Sequence, residues 1–69
     1  MSYLLEALIQ RLNGDIAVAK ANVDVYIKNS AGIGEHPDII GAIETQVELI
    51  AAAEEKIETI HNHFGFGKK

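Results

Sequence analysis

The sequence predicts an all-α fold: an antiparallel two-helix hairpin that fills residues 1–69 as a single domain and pairs with a second copy into a homodimeric four-helix bundle. Three observations predict it. Apolar residues recur at alternating steps of four and three through both halves of the chain. One cluster of helix-breaking residues near the middle separates those halves. The apolar residues also outnumber the places that one neighbouring helix can cover.

The first helix is expected over about residues 3–29. Its seam is Leu5, Ile9, Leu12, Ile16, Ala19, Val23 and Tyr26. The register crosses Asn13-Gly14-Asp15 without a phase slip, so the sequence favours one helix there, although a glycine inside a helix costs ~1 kcal/mol relative to alanine. A kink at that tripeptide is left open. Asn29-Ser30-Ala31-Gly32 then supplies poor helix formers followed by a residue able to adopt a positive φ.

The loop is expected over about 30–36. In the stretch AGIGEHPD at 31–38, Pro37 suits the first position of a new helix, where it has no amide hydrogen to lose. Asp38 complements the positive end of that helix, and His36 is placed as its N-cap or as a hydrogen-bonding loop residue. Gly32-Ile33-Gly34 before a helix start resembles an anion-binding turn. Against that reading, no strand precedes it, no Lys-Ser or Lys-Thr pair follows it, and Glu35 and Asp38 would repel an anion. A chain reversal is the better reading.

The second helix is expected over about 37–64, with Ile40, Ile43, Val47, Ile50, Ala53, Ile57, Ile60 and Phe64 at helical spacing. It is expected to fray at Gly65, leaving residues 65–69 as a flexible or lightly docked tail. Folding about Ile33 and Gly34 brings Tyr3 and Leu4 to Phe64 and sets residues 14–17 opposite residues 51–53. Small residues on both sides would let the backbones approach closely, which gives Gly14 a packing role.

Composition narrows the function. Six Lys and Arg against ten Asp and Glu give a formal charge of -4, the wrong sign for holding a nucleic-acid backbone. The chain has no cysteine, so disulfides and thiolate zinc sites are excluded. No apolar run reaches the ~18 to 20 residues of a membrane span, and MSYLLEALIQRL has no basic stretch before its apolar residues. A cytoplasmic protein without a membrane or nucleic-acid partner is expected.

Self-association follows from surplus apolar residues. Leu4, Leu8, Val18, Val25 and Ile27 lie beside the first seam, and Ile39 and Ala52 beside the second. Burying one Leu or Ile is worth ~1.5 to 3 kcal/mol, and a two-fold pair of hairpins is the simplest closed arrangement. The residues assigned to assembly are Leu5, Leu8, Ile9, Leu12, Ile16, Val23, Ile43, Val47, Ile50 and Ile57. The reading is a non-enzymatic interaction or scaffold protein with no cofactor, whose partner is itself, with a second protein partner left open.

The alternative chemistry rests on Glu58-Thr59-Ile60-His61. This E-x-x-H string sets a carboxylate and an imidazole one turn apart, as carboxylate-bridged di-iron bundles do. Glu6 falls opposite His61 in the antiparallel register, so a dimer could gather two copies each of Glu6, Glu58 and His61. The competing reading has His61 and His63 beside the negative end of the helix and Glu58 in solvent. Asn62 between the two histidines spells HNH, but residues two apart on a helix point about 200° from each other, and that nuclease reading fails. Glu54 is expected at a rim, with Arg11 or Lys20 of a neighbour as its partner if it turns inward. Asp15, Lys20, Asp24 and Lys28 read as an ordinary solvated face.

The run VAKANVDVYIKN at 18–29, followed by GIGEHPDII at 32–40, resembles a pattern in short proteins of tailed phages, especially the large myoviruses of marine cyanobacteria. The resemblance covers about residues 15–45. It implies a phage-encoded accessory protein in the host cytoplasm, and it carries no activity and no residue role.

Overall fold

A computed structural model describes residues 2–28 and 38–65. Two α-helices make up the described chain, α1 (Tyr3–Lys28) and α2 (Ile39–Phe64), and no strand occurs among the described residues. Each helix has 26 residues, or about 39 Å at ~1.5 Å per residue. The molecule measures 48 × 16 × 15 Å. The expected reversal at 30–36, with Asn29, His36 and Pro37 beside it, and the tail after Gly65 lie outside the described residues.

Ser2 opens α1. Its hydroxyl accepts a hydrogen bond from the Leu4 amide at 2.9 Å, and its carbonyl accepts one from the Glu6 amide at 3.1 Å. The first bond satisfies one of the amides that a helix start leaves without partners, and the second is the first regular bond of the helix. α1 then runs as one helix through Asn13-Gly14-Asp15.

Asp38 is the N-cap of α2. Its Oδ1 accepts from the Gly41 amide at 2.8 Å, and its carbonyl accepts from the Ala42 amide at 3.1 Å. The helix begins at Ile39, two residues after the expected start, and the expected roles of Pro37 and His36 lie outside the described residues. The physical reason is the short carboxylate of Asp38, which reaches the amide three residues on; a proline side chain has no acceptor to offer. A Cβ on Gly41 would run into that same carboxylate. At the far end Gly65 adopts φ 75° and closes α2 in the left-handed conformation.

The helices pack antiparallel. Ile9 and Leu12 from the start of α1 form the buried cluster with Ala53 and Ile60 from the end of α2, and Leu5, Ile16 and Ile57 pack against it. Ala19, only 1% exposed, is the most enclosed residue of the core. Toward the turn, Asn22 Nδ2 donates to Gln46 Oε1 at 3.1 Å, which links the helices side chain to side chain. Gln46 stands one position from the Thr45 that the expected register sets opposite Asn22.

Two packing expectations are overturned. Gly14 is exposed, and a Cβ built on it would meet nothing within 4 Å. Gly14 is two residues from both Leu12 and Ile16, so it points away from the seam they define and cannot serve as a close-approach residue. Tyr3, Leu4 and Phe64 are all exposed, so the open end of the hairpin is not sealed by mutual packing of these three.

Candidate interaction surface

The ten residues assigned to assembly divide by exposure. Ile9 and Leu12 are buried, and Leu5, Ile16 and Ile57 lean on them. Val23, Ile43 and Ile50 are half-buried, while Leu8 and Val47 are exposed. The seam thus serves first to join the two helices of one chain, because the nearest apolar surface available to a seam residue is its own partner helix. Leu8 and Val47 keep about half of their surface open to another molecule.

Beside the seam the hairpin has two long flanks. One contains the positions just before the seam residues of α1, such as Leu8, Asp15 and Asn22, and it is concave. A groove of about 420 Å³ runs along it, with Asp15, Val18 and Asn22 on the α1 wall, Leu49, Ala52 and Lys56 on the α2 wall, and Leu12, Ala19 and Ala53 at its floor. A second hollow of about 370 Å³, bordered by Leu8, Glu55, Lys56, Thr59 and Ile60, continues it toward the open end. The small side chains of Ala19, Ala52 and Ala53 create the groove, since nothing there fills the space between the two rods.

The groove is apolar at its centre, where Val18 is 62% and Leu49 52% exposed. Its charges sit on opposite walls, Asp15 on α1 and Lys56 on α2. Neither is in an ion pair among the described residues. The pair that does form, Lys28 Nζ to Asp24 at 3.1 Å, is exposed and lies within one turn of α1, where it is worth ~0.3 to 0.5 kcal/mol. The opposite flank carries Glu6, Lys20, Glu54 and Glu58, with exposed Ile27, Ile40 and Val47 gathered toward the turn.

The metal-ligand set is not assembled within one chain. Glu6 and Glu58 are exposed, His61 is half-buried, and no group of three or more His, Asp or Glu side chains among the described residues could hold a metal ion. His61 and His63 lie in the last turn of α2. Glu54 is exposed, at the rim.

Sequence reasoning missed the Asn22–Gln46 bond and the groove. The first left a signal, since two amide side chains fall at adjoining levels of an apolar seam in the antiparallel register. The second was visible only as alanines, whose effect depends on which of them share a level. Among the described residues no helix is long and apolar enough to cross a membrane. No protein-family model matches the chain, and no curated protein or solved structure matches it either.

Proposed function

We propose that this chain is a small non-enzymatic helical interaction protein, completed by a second copy of itself as a homodimeric four-helix bundle, that binds or scaffolds another protein. One observation carries the reading. Ten large apolar side chains among the described residues are exposed, whereas the buried core comprises five residues, two of them alanine. A chain of 69 residues is below the ~70 to 80 at which a single core gives more than a few kcal/mol, and it has neither disulfide nor described metal site to compensate. Association with like surface is a route to stability, and a closed two-fold pair is its commonest form.

Sedimentation equilibrium combined with thermal melting tests this. The expected species has twice the 7.5 kDa of one chain, and its melting temperature rises with protein concentration, because dissociation and unfolding are linked by mass action. A species of 7.5 kDa that melts cooperatively at a temperature independent of concentration refutes the proposal.

A further inference from the structure

We infer that the second copy docks on the Val18–Leu49 groove with the two-fold axis running along the rods, so that α1 of each chain lies on α2 of the other, Asp15 faces the partner's Lys56, and Val18 faces the partner's Leu49. This rests on the self-association proposed above and adds the face and the direction of the axis.

The area fits a partner of this kind. A compact monomer of 7.5 kDa exposes about 4,200 Å², whereas this chain exposes 5116 Å². The 48 × 16 × 15 Å shape carries that excess along its length, so one flank is long enough to supply the ~800 Å² that one partner contributes to a standard interface. The groove flank is the better candidate for covering it. Its central positions are apolar and its hollows extend toward the open end, while the opposite flank sets Glu6, Lys20, Glu54 and Glu58 among its apolar residues.

Charge then selects the axis. The centre of the groove carries one negative and one positive side chain on opposite walls, Asp15 and Lys56, neither in an ion pair among the described residues, and Glu55 borders the hollow beyond them. Two symmetric arrangements place groove on groove. An axis across the rods sets α1 on α1 and α2 on α2, and with its centre on the groove it brings Asp15 near its own copy and Lys56 near its own copy. An axis along the rods sets α1 on α2 at matching levels, because the chain's own antiparallel register puts Val18 and Leu49, and Asp15 and Lys56, at nearby heights. Two attractive pairs then replace two repulsive ones. Arg11, one turn before Asp15, lies on the same stripe of α1 as Val18, outside the central hollow, and the axis along the rods sets it level with the partner's Glu55.

The chain has no cysteine, so introduced thiols report alone. Val18→Cys and Leu49→Cys chains are prepared separately, mixed, and treated with a short bis-maleimide; both positions are exposed, so the helix seam is left as it was. The expected result is a covalent dimer in the mixture and little from either variant alone. Self-crosslinking of each variant with no gain on mixing overturns the axis, and absence of crosslinks in a sample that still sediments as a dimer overturns the face. A monomeric wild-type chain overturns the proposed function as well, which separates the two failures. Charge reversal gives a second readout: Asp15→Lys weakens dimerisation on the order of tenfold, and adding Lys56→Glu in the same chain restores it. A single reversal without effect, or a double variant as weak as the single, overturns the pairing.

Discussion

The two ends of the hairpin obey the same apolar spacing and bury it differently. Near the termini, Ile9, Leu12 and Ile60 are enclosed with Leu5, Ile16 and Ile57 around them. Toward the turn, Val23, Ile43 and Ile50 are only half-buried, and Val25, Ile27, Ile40 and Val47 are exposed. The difference lies in what fills the seam. At the terminal end it holds long aliphatic side chains from both helices, whereas toward the turn Asn22 and Gln46 stand beside Val23 and Ile43, and their hydrogen bond fixes alignment without supplying apolar contact. Periodicity therefore marks where a helix is sticky, but neighbouring volume decides whether that surface is satisfied within the chain.

The strongest way to break this contrast is to truncate one residue from each end. Leu12→Ala removes a buried side chain from the cluster, and it is expected to lower unfolding free energy by ~2 to 5 kcal/mol in urea denaturation at fixed protein concentration. Val47→Ala, at a site that is 51% exposed, is expected to change the hairpin's own stability by less than ~0.5 kcal/mol. Equal losses at the two sites would show that the turn end is as tightly packed as the terminal end.

The polar pair offers the next test. Asn22→Ala leaves Gln46 without its cross-helix partner, and the expected cost is about 1 to 1.5 kcal/mol, the net worth of a partly buried hydrogen bond. The larger consequence is structural. With the pair gone, no side-chain hydrogen bond among the described residues links the helices at the turn end, and amide hydrogen exchange should quicken for residues 20–28 and 39–48 before it quickens around Ile9 and Ile60. Uniform acceleration along both helices would mean that the bond contributes stability alone and no alignment.

What could be read in advance follows the same division. The helices and their cluster were legible because a 3.6-residue repeat translates directly into one covered face, and Ile9, Leu12, Ile57 and Ile60 all obey it. The start of α2 was less so, since Pro37 and Asp38 are adjacent start signals and only one residue can cap; the carboxylate's reach decided for Asp38. Gly14 was misjudged because a register that pairs heights along two rods says nothing about rotation, and Gly14 stands at the right height on the wrong side. The groove was hidden for a related reason. Alanine at 19, 52 and 53 fits a helix anywhere, and becomes a hollow only when the partner helix sets these residues side by side.

Gly14 also supplies the smallest effect and the sharpest control. Its site is open, so Gly14→Ala keeps every contact and removes the excess backbone entropy that glycine loses on folding, a gain of ~0.5 to 1 kcal/mol. Gly41→Ala makes the same chemical change at the start of α2, but the new methyl displaces the Asp38 carboxylate from the Gly41 amide. Losing an N-cap costs ~0.5 to 2 kcal/mol, which cancels the propensity gain or exceeds it. Thermal melts should therefore show Gly14→Ala raised and Gly41→Ala unchanged or lowered. Were Gly14→Ala destabilising instead, residue 14 would face a neighbour after all, and in a chain whose own helices leave that side empty the neighbour would have to be another molecule.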